Sequence, residues 1–258
     1  MAKRVETLGD ATILISDHRT PDFFGNLLAP FAALMSSANA TTSLRAETLV
    51  IDNDFRHPAV LAKEVATVEL LSDGRLDLRL GAGWLQTEYD QSGIVFDCGG
   101  TRIERLEELV RVLKALFADA PASFLGKHYT IEALKGYPKP MRRPHPPIMI
   151  GGAGQWILAL VAREPNIIHS LPSTISTGTL MIHPRDRLPD VMMCRIEWVR
   201  EQAGARFKES VLSPSAEFVI AFDRHQFVED NEWHDVSVEK VGECRVSLLA
   251  LSTRSWHR

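Results

Sequence analysis

Cysteine is scarce in this chain. Cys98, Cys194 and Cys244 are its only three, far apart and without C-x-x-C spacing. That excludes a disulfide-stapled scaffold and a cysteine-built zinc site. The nine histidines show no H-E-x-x-H or comparable ligand spacing, so no metal site is expected. Positive charge is not in excess either. The net charge of −4 offers no basic field for nucleic acid, and the one small cluster, Lys139, Arg142 and Arg143, is broken by prolines and reads as a solvated loop. No apolar run reaches the roughly 18 residues that a membrane span needs, and the start MAKRVETLGD lacks the apolar core of a signal peptide. The expectation is a cytoplasmic protein without a membrane partner. No G-x-G-x-x-G follows a strand anywhere, which counts against a dinucleotide-binding sheet.

What the chain has is length and apolar content for one sizeable core: 258 residues, 45% of them hydrophobic. The stretch around which it is organised runs from Leu44 to Trp84 and reads as one strand-helix-strand unit. Thr48-Leu49-Val50-Ile51 is a short apolar and β-branched run that surfaces in the polar turn Asp52-Asn53-Asp54. Pro58 suits a first helical position, where an amide has no partner to lose. Leu61, Val65, Val68 and Leu71 then share one helical face, with Lys63, Glu64 and Glu69 placed elsewhere. Gly74 can take the left-handed conformation that ends the helix, and Leu76 to Leu80 begins a second strand. Two strands joined in this way are parallel, with a right-handed crossover.

The same alternation extends on both sides. Ala2 to Gly9 reads as a helix end with Val5 and Leu8 inward, and Ala11 to Ile15 as a strand delivering Asp17 and His18. Leu27, Leu28, Phe31, Leu34 and Met35 recur at helical spacing, interrupted by Pro30. Tyr89 to Gly100 reads as a loop. Thr101-Arg102-Ile103-Glu104 has a capping-box pattern ahead of the stripe Ile103, Leu106, Val110, Leu113 and Phe117. Residues 119–146 form a surface excursion, with a hairpin between Phe124 and Tyr129. Further strands are expected at Pro147 to Ile150, Asn166 to Leu171 and Ala216 to Phe222, and helices at Trp156 to Ala162 and Asp190 to Ala203. Six regular βα steps favour a TIM-like barrel over a doubly wound sheet.

Taken as residues alone, the candidate chemistry is modest. Gly151-Gly152-Ala153-Gly154 joins a strand to a helix start, where free amides suit a phosphate, although such a turn is as often plain geometry. Asp17-His18 at a strand end reads as a turn or as a proton-transfer pair; a histidine suits the second role because it titrates near neutral pH. Arg56-His57 ahead of Pro58 reads as loop solvation or helix-start geometry, or as polar contacts near a site. Trp84 reads as packing at a strand end or as the wall of an apolar pocket.

TLVIDNDFRHPAVLAKEVATVELLSDGR with LGAGWLQTEY, Tyr137-Pro138-Lys139-Pro140 and Pro147-Ile148-Met149-Ile150-Gly151-Gly152 together resemble the luciferase-like monooxygenase superfamily, in particular its branch dependent on the deazaflavin coenzyme factor 420 (8-hydroxy-5-deazaflavin). The resemblance runs over roughly residues 1 to 171. It implies a (β/α)8 barrel that here is incomplete, its first and eighth strands missing or replaced, over residues 1–222, with residues 223–258 a divergent tail. It implies hydride transfer between the deazaflavin and a small organic substrate, with FMN-dependent monooxygenation of the same fold or a non-catalytic remnant as alternatives, and it leaves a homodimer open. By residue, it places Asp17 and His18 beside the coenzyme ring, with His18 catalytic. It places a non-prolyl cis peptide at Thr48-Leu49 behind the ring, a backbone contact at Gly83, and the phosphate-bearing tail at Gly151, Gly152 and Ala153. Trp84 stands where sugar-phosphate dehydrogenases of the family carry a catalytic glutamate, which argues against that substrate and for an apolar pocket.

Overall fold

The computed structural model describes residues 1–20, 28–152, 155–163, 167–169, 189–205 and 211–213. Helix α1 (Ala2–Thr7) leads into strand β1 (Thr12–Ile15), followed by α2 (Pro30–Ala40), β2 (Arg45–Thr48) and β3 (Ile51–Asp52). A single tight helical turn, Asn53–Phe55, precedes α3 (Pro58–Leu71), β4 (Leu76–Gly81), α4 (Gln86–Ser92) and α5 (Gly99–Phe117). A hairpin of β5 (Ala122–Leu125) and β6 (Thr130–Leu134) stands apart, and the main sheet resumes with β7 (Ile148–Ile150), α6 (Gln155–Arg163), β8 (Ile167–His169), α7 (Pro189–Ala203) and β9 (Val211–Ser213).

The sheet order is β1-β2-β4-β7-β8-β9, all parallel, with β3 paired beside the end of β4. The order advances around the sheet without reversing, which is how a barrel winds; a doubly wound sheet turns back at its switch point. Among the described residues β1 and β9 are the outer strands. The sheet is thus an open arc of a TIM-like barrel.

Alternation sorts the strands into two faces. Ile13, Ile15, Ala46, Leu76, Leu78, Leu80, Ile148 and Ile150 join one apolar cluster with Leu34 of α2, Leu61 and Val65 of α3, Leu106, Val110 and Leu113 of α5, and Leu160 of α6. The intervening positions carry Leu14, Arg45, Glu47, Asp77, Arg79 and Met149. Charges there are paired: Arg79 with Glu47, both buried, and the half-buried Arg45 with Asp77.

The expected strand-helix-strand unit is present, but not in every detail. The run from Thr48 to Ile51 is not one strand: β2 ends at Thr48 and β3 begins at Ile51. Leu71, the last residue of α3, is exposed, while Glu69, off the apolar stripe, is fully buried against Arg142. Leu8 is likewise exposed, past the end of α1. Pro30 does not interrupt a helix; it occupies the first turn of α2 and starts it. Thr101 is no cap, since α5 begins two residues earlier with Cys98 as its N-cap, and Glu104 turns instead to Lys127. The stretch from Tyr89 is helical before it becomes a loop: α4 is closed by Gly93 in the left-handed conformation, and Tyr89 is fully buried. The strand expected at Ala216 to Phe222 and the boundary at residue 222 lie outside the described residues; β9 takes the sixth place in the sheet.

Among the described residues no helix is long and apolar enough to cross a membrane, and no group of three or more metal-ligating side chains is gathered.

Candidate functional site

Because the strands are parallel and in register, their carboxyl ends share one rim. Asp17 and His18 follow β1, Thr48 ends β2, Asp52 ends β3, Gly83 and Trp84 follow β4, and Gly151 and Gly152 follow β7. The rim continues through backbone bonds, with Leu49 N–H donating to Ile15 C=O at 2.9 Å and Gly151 N–H to Leu80 C=O at 2.8 Å. Ala153 lies outside the described residues. The non-prolyl cis peptide is Leu49–Val50, one bond later than the Thr48-Leu49 position expected from the sequence, and it falls in the break between β2 and β3. Thr48 itself is spent on the sheet. Its hydroxyl donates to Arg79 C=O and accepts from Arg79 N–H, both at 2.8 Å, replacing strand pairing where the chain leaves the ladder.

His18 is the centre of the polar chemistry. Its ring meets Trp84 edge to face, with centroids 5.7 Å apart, and its Nδ1 lies 3.2 Å from Glu88 Oε2. Burial holds its pKa below the ordinary value; the carboxylates of Glu88 and Asp17 pull the other way, and Arg19 adds to the depression. The imidazole is therefore neutral at physiological pH and able to accept a proton. Asp17 is buried and fully employed: Arg56 Nη1 donates to it at 2.5 Å, Arg19 Nη2 at 3.3 Å and Asp52 N–H at 3.2 Å. This aspartate builds the rim. Arg56 is thus a polar element of the site, whereas its neighbour His57 caps α3 by accepting from Ala59 N–H at 3.2 Å.

Beneath the rim, Tyr89 Oη lies 2.9 Å from Asp52 Oδ1 and 3.1 Å from Asp54 Oδ2. One phenolic proton cannot serve two carboxylates, so a second proton on Asp52 relieves the cluster. Burial, followed by the Asp54 charge, pushes the Asp52 carboxyl up to about 7, and the Tyr89 hydroxyl is pushed up as well by burial and by both aspartates. The folded state therefore holds the Asp52 proton more tightly than the unfolded chain, whose value is near 3.8. This contribution to stability is fully present below about pH 4 and is lost as pH rises through about 7. Asp52→Asn should remove that loss. Compared by urea unfolding, the variant should gain on the parent between pH 5 and pH 8 by on the order of 2–3 kcal/mol, the loss the parent suffers as Asp52 ionises.

Gly83 has φ +71°, and a Cβ there would meet the Tyr89 hydroxyl and lie 2.8 Å from Asp52 Oδ2. Packing inside the protein already requires this glycine. Gly152, at φ +149°, would bring a Cβ within 2.7 Å of Ile157 Cγ2 on α6. A bulky residue at 152 would thus disturb α6 as well as anything bound beside it, which makes that substitution an ambiguous probe of ligand binding.

The sequence leads one to expect His18, Thr48, Gly83, Gly151 and Gly152 together at the carboxyl ends of strands, and each lies at or just past such an end. That expectation omits Glu88, Arg19, Asp52 and Tyr89. Gly93 was the available sign for α4, since a glycine closing a short polar helix would have put Glu88 and Tyr89 on a helical face turned toward the rim.

Residues 1–176 match the family described as luciferase-like monooxygenase. The chain is 32% identical over 154 residues to the F420-dependent glucose-6-phosphate dehydrogenase of Amycolatopsis mediterranei, covering 58% of this chain and 46% of that protein. It is 31% identical over 116 residues to the FMNH(2)-dependent dimethylsulfone monooxygenase of Pseudomonas putida, covering 45% of this chain and 32% of that one. The fold superposes on monooxygenase RslO1 from Streptomyces bottropensis with a TM-score of 0.72 at 23% identity, over 89% of this chain and 68% of that structure. The matched part is less than half the length of either sequence relative.

Proposed function

Because the chain belongs to the luciferase-like monooxygenase family, we propose that its rim takes a deazaflavin coenzyme of the factor 420 type and that it transfers hydride between this coenzyme and a small organic substrate. The observation that carries the reading is the meeting of His18 and Trp84 at the carboxyl ends of β1 and β4. The residues present fit such a group. Leu49, Val50, Gly83 and Trp84 are all half-buried on the rim and supply apolar surface for a flat ring. The Gly151-Gly152 turn ahead of α6 allows close backbone approach for a phosphate-bearing tail at Gly152, the Gly151 amide being spent on Leu80 C=O.

When bound, the coenzyme would supply the hydride carrier. The protein supplies the rest. His18, kept neutral by burial, accepts at Nε2 the proton of a substrate hydroxyl as hydride leaves, or returns it in the reverse direction. Trp84 walls the substrate side and excludes water. An indole in that place offers no carboxylate to a sugar phosphate, so an apolar alcohol or carbonyl compound suits the site better.

The 31% match to an FMNH(2)-dependent enzyme favours a second reading, a monooxygenase using reduced FMN at the same rim. Parallel titrations of the purified chain with factor 420 and with FMN, followed by absorbance, separate the two. Saturable binding of the deazaflavin in preference to FMN is expected. Binding of FMN with indifference to the deazaflavin would overturn the preference, and binding of neither would leave a non-catalytic protein on a barrel scaffold.

A further inference from the structure

The carboxylate of Glu88 is among the most buried charged groups of the rim, with a side chain only 3% exposed. It comes from α4, not from a strand end. Its Oε1 accepts from the backbone N–H groups of Arg19 at 2.6 Å and Thr20 at 3.1 Å, which fastens the loop after β1 to α4. Its Oε2 lies 3.2 Å from His18 Nδ1. The two oxygens thus have separate tasks. Fastening the loop needs only one acceptor, and the second is directed at the imidazole.

We propose that Glu88 is a positioning residue for His18: by accepting a hydrogen bond from Nδ1–H it fixes the neutral ring in one tautomer and leaves Nε2 as the basic nitrogen. A carboxylate has no proton to give, so a neutral imidazole facing it through Nδ1 must be the donor. The same contact sets the plane of the ring, which also rests edge-on against Trp84. Among the described residues the charged groups that act on His18 are Asp17 and Arg19 on its own loop and Glu88 on α4; Asp17 is held by Arg19 and Arg56, whereas Glu88 contacts the ring directly. Burial depresses the basicity of the imidazole and Glu88 opposes it, so the pair keeps a desolvated histidine usable as a base.

The inference rests on the reading of His18 as the proton-transfer group, but its test does not depend on turnover or on coenzyme. Two-bond proton-nitrogen spectra of ring-labelled histidine, with His18 assigned through His18→Gln, report the tautomer and the titration midpoint. In the native chain neutral His18 should be the Nδ1–H form. Glu88→Gln keeps an oxygen for the Arg19 and Thr20 amides but turns an N–H toward Nδ1. It should convert the ring to the Nε2–H form and move its midpoint to lower pH. A merely structural Glu88 would leave both unchanged on this substitution, and that result would overturn the proposal. Should Glu88→Gln fail to fold, the native spectrum alone decides, because an Nε2–H tautomer there is incompatible with a carboxylate accepting from Nδ1. Failure to bind factor 420 is a separate result and bears on the coenzyme reading alone.

Discussion

Gly83→Ala is expected to destabilise the chain by about 3–7 kcal/mol, enough to remove much of the stability of an ordinary domain. Three costs combine. The backbone at Gly83 has φ +71°, where an alanine costs about 1 kcal/mol. The added methyl meets the hydroxyl of Tyr89, a fully buried ring packed edge-on between Phe55 and Phe96, so overpacking of about 1–3 kcal/mol follows. A displaced Tyr89 also gives up its bonds to Asp52 and Asp54, leaving buried carboxyl oxygens short of a donor at about 1–3 kcal/mol. Thermal or urea unfolding measures the sum. Since the phenolic oxygen is the atom in the way, Gly83→Ala combined with Tyr89→Phe should be more stable than Gly83→Ala alone. If the double variant is no better, the account of Gly83 as a packing requirement is wrong.

The second large effect lies at the opposite end of the sheet. Glu69 is completely buried on α3, and Arg142, from the loop before β7, donates to its Oε1 through Nε at 2.6 Å and to its Oε2 through Nη2 at 3.1 Å. The same guanidinium reaches Asp77 at 3.0 Å through Nη1 and also donates to Leu76 C=O. Arg142→Met therefore leaves a carboxylate in the interior with little beyond backbone donors, a loss of about 3–5 kcal/mol. Glu69→Gln combined with Arg142→Met should recover part of it, because the neutral amide carries no stranded charge. This end is remote from His18 and Trp84. Coenzyme affinity, measured where both forms are folded, should be unchanged by Arg142→Met.

Arg142 also marks where the sequence stopped being legible. A basic residue among prolines reads as solvated from composition, and nothing local announces that a glutamate 73 positions earlier is buried and needs it. Glu69 is the same case from the other side. It sits off the apolar stripe of α3, but the loop before β7 folds over it. Strand and helix order, by contrast, follow from periodicity and punctuation. Pro58, Gly74 and the apolar runs at 12–15, 76–80 and 148–150 place the βα units because burial of those faces depends on local pattern. The rim follows from that order, since parallel strands deliver their ends to one side. Contacts between rim loops do not. Glu88 meets His18 across 70 positions, and Tyr89 meets Asp52 across 37, so only the closed tertiary structure reveals them.

The central claim, that a coenzyme sits at the rim beside His18, is tested most directly by following the histidine ring resonances while factor 420 is added. His145 serves as the internal control: it lies in the loop at the amino end of β7, on the far side of the sheet, with Nδ1 donating to Pro146 C=O at 2.8 Å. The account predicts that the His18 resonance shifts progressively and saturably while that of His145 stays in place. A His18 resonance unmoved at coenzyme concentrations that saturate binding, or a shift confined to His145, would contradict it.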